Sequence, residues 1–143
     1  MPYWVSGWIE VVWDWSVEEK IQYWSEVINL DRFNFYGDDV PDVLFGLTKH
    51  PCENPFFAKR GVPKDCSKRV ADEVKRNEEF IKKYGEGDIN HTYATWSEIS
   101  KHLNKLENAR DLNKWKVIFS MVKIMCEERF KPEWVRFIVW GNW

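Results

Sequence analysis

The chain has 143 residues with 23 acidic and 21 basic side chains, a formal net charge of −2 that argues against a general nucleic-acid binder, which needs positive charge to release counterions from phosphate. Its three cysteines, Cys52, Cys66 and Cys126, are odd in number and show no CxxC spacing, so neither a disulfide framework nor a zinc module is indicated. No basic leader precedes an apolar stretch and no apolar run approaches a membrane span, so the chain reads as soluble and intracellular with reduced thiols.

Residues 1–143 are expected to form one domain, long enough to bury about 70% of its extended-chain surface. In chain order, "YWVSGWIEVVW" (3–13) is rich in β-branched and aromatic residues and reads as a strand, with Gly7 marking a bulge or a close approach of another backbone. Ser16 and Glu19 match a capping box and predict a short helix. "YWSEVINL" (23–30) fits either a continuation of that helix or a second strand. Asp39-Val40-Pro41 begins a helix of one or two turns that Gly46 ends.

Four prolines or glycines break up residues 49–65, after which Asp65 or Ser67 caps a long helix running to about Lys83. Val70, Val74, Ile81 and Tyr84 recur on it at helical spacing, and Gly85 stops it. "GDINHTYATWSEI" (87–99) reads as a loop feeding a helix, capped by Thr95 with Glu98 and burying Trp96, Ile99 and Leu103. Residues 111–130 form the strongest helix, with Leu112, Trp115, Phe119, Val122 and Cys126 in one apolar stripe and Ile118 and Met125 beside it. Pro132 ends it, and "EWVRFIVW" (133–140) closes the chain as a strand. The expected class is α+β: a small, mainly antiparallel sheet that includes the N- and C-terminal strands, with three to four helices packed on it and covering a face.

Enzyme signatures are missing: no GxSxG, phosphate-loop, GxGxxG or HExxH pattern occurs, and His50, His91 and His102 are scattered. Cys52 lies two residues from His50, but Pro51 between them indicates a turn rather than a nucleophile–base pair. Asp38, Asp39 and Asp42 suit the first turn of a helix by its dipole. Binding signals are firmer. Residues 49–69 hold six Lys/Arg against two acids, whereas 14–43 hold eight acids against two bases. Within the basic stretch, "FFAKRGVPKD" combines aromatic faces, phosphate-neutralising cations and a glycine that allows close backbone approach. The second candidate is the hydroxyl-rich turn around His91, set before a helix start that suits anions. Both stretches also fit an ordinary anchored loop and a capped helix, and they form a site only if they face one another.

Four segments, "NFYGDDVPDVLFGL" (34–47), "AKRGVPKDCSKRVADEVKR" (58–76), "HTYATWSEI" (91–99) and "VRFIVWGNW" (135–143), resemble in order a group of small phage and prophage proteins. That group carries "RNYDLFAILAGVR"-, "RGLPEDVS-EV"- and "HS-YLTLKEL"-like segments and a terminal strand similar to "RFVFWFDN"; "GWIEV" (7–11) fits as well. Phe33 stands where the group tends to have Arg, and "GDD" alters the spacing of the first motif. The resemblance implies a phage product acting in the host bacterial cytoplasm. Together with the two loops, it leads to the expectation of a non-catalytic protein that sequesters a small nucleotide second messenger of host antiviral defence. A homo-oligomer with pockets near subunit boundaries is expected, and no cofactor, metal, membrane or long nucleic acid. In this reading Lys59 and Arg60 neutralise phosphate and Gly61 brings backbone amides close. His91, Thr92 and Tyr93 bond to or stack on base and ribose, and Tyr36 closes the pocket. The alternatives are an inhibitor of a host protein, which the aromatic surplus fits equally well, and a small cyclic-nucleotide hydrolase using His91 as acid/base.

Overall fold

The computed structural model describes residues 3–16, 21–48, 50–85 and 89–142. Its frame is an antiparallel sheet of β1 (Trp4–Ser16), β2 (Ile21–Asn29), β3 (Thr92–Thr95) and β4 (Val135–Asn142), in the order β2-β1-β4-β3. The N- and C-terminal strands therefore share one sheet, as the β-branched and aromatic runs at both ends predict, and the fold places them side by side at its centre. Among the described residues four helices pack on it: α1 (Asp39–Phe45), α2 (Lys68–Tyr84), α3 (Trp96–Ser100) and α4 (Leu112–Glu128), with short 3-10 turns at Leu30–Phe33, Leu103–Leu106 and Pro132–Trp134. No helix among the described residues is long and apolar enough to cross a membrane.

The helices cover both faces of the sheet rather than one. Val5, Ile9 and Val11 of β1 and Val135, Phe137 and Val139 of β4 alternate onto the larger core, where α1, α3 and α4 bury Leu44, Ile99, Trp115 and Ile118. The intervening residues Trp8, Ile138 and Trp140 face the other way and pack on Val70 and Val74 of α2. This double burial explains why β1 and β4 read as nearly continuous apolar runs and not as strict alternation. On the larger side, Phe35 stacks on Trp115 with ring centroids 3.9 Å apart.

Gly7 pairs with Val139 and has φ 146°; a Cβ there would stand 2.0 Å from the Ile138 carbonyl oxygen, so the close approach anticipated from the sequence is the reason for this glycine. Three residues along, Glu10 pairs with Arg136 across the two central strands. Both are buried, the Arg136 Nε donating to Glu10 Oε1 at 2.9 Å and Nη1 to Asp65 Oδ1 at 2.9 Å. The Ser67 amide donates to Glu10 Oε2 at 2.7 Å, and the guanidinium carbon lies 3.7 Å from the centroid of the Trp24 ring. One ion pair thus ties the sheet centre to the loop that starts α2.

Two sequence expectations are corrected here. Ser16 ends a strand and Ile21 begins the next, so β-propensity overrides the capping-box match at Ser16; its partner Glu19 lies outside the described residues. Residues 92–95 form an edge strand on β4 and not a loop. The helix punctuation is as predicted: Gly46 and Gly85 end α1 and α2 in left-handed conformations, Ser67 caps α2 by accepting from the Val70 amide, and Thr95 and Glu98 form the reciprocal capping box of α3.

Candidate functional site: a groove between α2 and the edge of the sheet

The proline-broken stretch after α1 folds back along β3. The Gly61 amide donates to the His91 carbonyl at 2.9 Å, the Arg60 amide donates to Thr92 Oγ1 at 3.2 Å, and that hydroxyl donates to the Phe57 carbonyl. The basic turn and the histidine turn are therefore adjacent, fastened through the backbone.

Beside this seam lies a hollow of about 320 Å³ lined by Lys59, Gly61, Glu78, Ile81, Ile89, Asn90 and His91. A second hollow of about 270 Å³ shares Ile81 and Ile89 with it and is otherwise lined by Arg76, Asn77, Phe80, Gly141 and Asn142. Together they make a groove with the second half of α2 as one wall and the turn leading into β3, the Lys59–Gly61 turn and the end of β4 as the other. Val70 and Val74 are buried, Ile81 is half-buried, and Phe80 and Tyr84 are 58% and 57% exposed. The apolar stripe of α2 is thus covered only over its first two turns, and Tyr84 is not a core residue.

The backbone of the groove is unusual. Lys59 (φ 58°) and Asn90 (φ 54°) are two of three non-glycine residues with left-handed φ among those described, and Gly61 (φ 79°) stands between them in the lining. Such conformations cost side-chain-bearing residues energy and concentrate where geometry is dictated by a ligand or a tight seam. The His91 ring is fixed from two sides: Asn77 Nδ2 donates to Nε2 at 3.1 Å, and the Trp140 ring lies 5.5 Å away. Lys59 and Arg76 supply positive charge, Glu78 a single negative one, and Phe80 an exposed aromatic face.

Of the residues expected to bind, Lys59, Gly61 and His91 converge on the groove and four do not. Arg60 turns to α3, its Nη2 lying 2.8 Å from Glu98 Oε2 and its guanidinium over the Phe57 ring, so its charge is already matched. Thr92 is fully buried and its hydroxyl is used in the seam; Tyr93 is half-buried against the core under α2. Tyr36 belongs to another part of the molecule, its ring 4.5 Å from that of Trp4 and beneath the Lys114 ammonium. Arg60, Thr92 and Tyr93 hold the groove's rim in place, and Tyr36 has no part in it. Sequence reasoning missed Arg76, Asn77, Phe80 and Asn142. An aromatic at position 80, off the Val70–Val74–Ile81 stripe, was the one available signal.

Other residues picked out by the sequence have structural work. Asp39 pairs with Arg110, which holds its carboxyl below the usual range through side-chain and backbone hydrogen bonds. Asp42 accepts from the Cys52 amide at 2.7 Å. Burial, with the Asp42 charge adding to it, pushes the Cys52 thiol up, the opposite of an activated nucleophile. The open first-turn amide of Val40 in α1 is satisfied from a distance, by Asp111 Oδ1 at 3.0 Å.

No protein-family model matches the chain, and neither the curated proteins nor the solved structures include a significant match. The functional reading therefore rests on the groove itself.

Proposed function

We propose that the groove binds a small anionic nucleotide and that the protein acts by holding this ligand rather than transforming it. The observation that carries the reading is the convergence of Lys59, Gly61 and His91, from two segments thirty residues apart, on one hollow with left-handed backbone at Lys59 and Asn90. Lys59 and Arg76 take the phosphate, the Gly61 turn lets it approach the backbone, and Phe80 stacks on the base. Asn77, Asn90 and His91 bond to ribose and base edges. In this reading the ligand is a nucleotide signal of host antiviral defence and the protein is a phage product working in the bacterial cytoplasm.

The test is mass spectrometry of small molecules released by heat from protein purified out of defence-active cells, followed by titration of the ligand identified. Lys59→Ala and Arg76→Ala should each weaken binding by about 10- to 100-fold, the range expected for one lost charge-assisted contact. Arg60→Ala should change affinity by less than about threefold, because its guanidinium is committed to Glu98. Release of intact nucleotide fits sequestration. A cleaved product would instead favour a hydrolase using His91 and Glu78, and failure of both Lys59→Ala and Arg76→Ala to alter binding would remove the groove from consideration.

A second reading has its own observation. Trp13, Tyr23 and Val27 are exposed around the β1–β2 hairpin at the outer edge of the sheet, at 57%, 42% and 47%. They suit an inhibitor that docks a host protein on that edge. Pull-down of one host protein at fixed stoichiometry, abolished by Trp13→Ala, would favour it.

A further inference from the structure

A surface helix of this length normally carries one apolar stripe; α4 carries two. Trp115, Ile118, Phe119 and Val122 face the core, while Val117, Met121 and Ile124 are 53%, 40% and 57% exposed on the outer side. Scattered exposed apolar residues need no explanation, but these three follow the 4-3 alternation of a helix-pairing seam. Exposed Lys114 and Glu128 continue the same spacing at its two ends.

The charges at those ends run against the helix. A helix favours acids in its first turn and bases in its last, yet α4 has no acid in the first and no base in the last. Lys114 sits near the positive end of the dipole and Glu128 at the negative end. We infer that α4 pairs antiparallel with α4 of a second copy of this chain, about a twofold axis passing at Met121. In that arrangement Val117 meets Ile124 of the other copy, and Lys114 meets Glu128, twice by symmetry. Each misplaced charge is then compensated by the opposing helix, whose dipole also runs the favourable way. This self-complementarity, an apolar centre with opposite charges equidistant from it, is what an isologous contact requires and an unrelated partner does not. The inference is independent of the groove, which lies along α2.

Sedimentation of the full chain between about 1 and 300 µM should show a reversible monomer–dimer equilibrium. Met121→Glu should raise the dimer dissociation constant by about tenfold or more without altering the circular dichroism. Lys114→Glu and Glu128→Lys should each weaken the homodimer, and an equimolar mixture of the two should restore association as a heterodimer, because each copy then offers the charge the other lacks. Both changes improve the match to the dipole of their own helix; Lys114→Glu also removes the cation over the Tyr36 ring, so unaltered circular dichroism and the restored association in the mixture are what separate loss of the dimer from misfolding. A chain that stays monomeric throughout, a dimer indifferent to Met121→Glu, or a mixture no better than its components would overturn the proposal.

Discussion

The buried Glu10–Arg136 pair offers the sharpest energetic test. Its side chains are 0% and 6% exposed, and Arg136 also meets Asp65 and Trp24. Replacing Arg136 by Met keeps a flexible apolar side chain beneath Trp24 but leaves Glu10 with only the Ser67 amide. Stranding a buried carboxylate in this way costs about 3–5 kcal/mol, whereas replacing both members of such a pair is often close to neutral. At about 3–5 °C per kcal/mol for a chain of this size, Arg136→Met should lower Tm by about 10–20 °C. Glu10→Gln keeps an acceptor for the Ser67 amide, so the double variant Glu10→Gln/Arg136→Met should cost about 1–2 kcal/mol, well under Arg136→Met alone. Urea denaturation of the four proteins closes the cycle and gives the coupling directly. If Arg136→Met costs less than about 1 kcal/mol, or the double variant costs the sum of the singles, the pair is not what joins the central strands to the start of α2.

Three further outcomes are expected. Gly7→Ala drives a methyl into the Ile138 carbonyl and should cost at least about 3 kcal/mol, read as a lower urea midpoint; an unchanged midpoint would mean that the strands separate freely there. Burial tends to raise the Glu98 carboxyl, but the bonds from Arg60 and the Thr95 amide outweigh it and hold it below the ordinary 4.5. Its folded value being the lower one, its contribution is full above pH 4.5 and disappears as the pH falls through that depressed value. The stability gap between wild type and Glu98→Gln should therefore be present at pH 7 and closed at pH 2, and a pH-independent gap would contradict this. Burial, with the Glu133 charge adding to it, pushes the Cys126 thiol up to about 11, so iodoacetamide at pH 8 should modify it far more slowly in the folded than in the unfolded protein; equal rates would show that the thiol is not shielded.

The helices were legible because their ends are written in residues whose chemistry is local: Ser67 and Gly85 around α2, Thr95 with Glu98 at α3, and Gly46 after α1. β3 was not, because its four residues owe their conformation to partners on β4 and to the seam at Phe57–Gly61, both remote in sequence. The groove was half legible for the same reason. Lys59, Gly61 and His91 stand out by type within loops, whereas Arg76 and Asn77 are ordinary polar residues on the outward side of a helix until β4 is folded beside them. Arg60 misled the reading: its charge looked free for a ligand, and only the fold reveals that Glu98 takes it.

The central pairing of β1 with β4 sets a timetable for biogenesis. Trp4 meets Asn142 and Val11 meets Val135, so the middle of the sheet is a contact between residues synthesised far apart in time. At about 5–20 residues per second a ribosome needs on the order of ten seconds to travel between them. Throughout that interval β1, apolar on both sides, lacks its central partner β4. Closure of the sheet must wait for β4, which makes the nascent chain a natural client for holding chaperones and leaves little prospect of domain-like folding by any fragment lacking that strand.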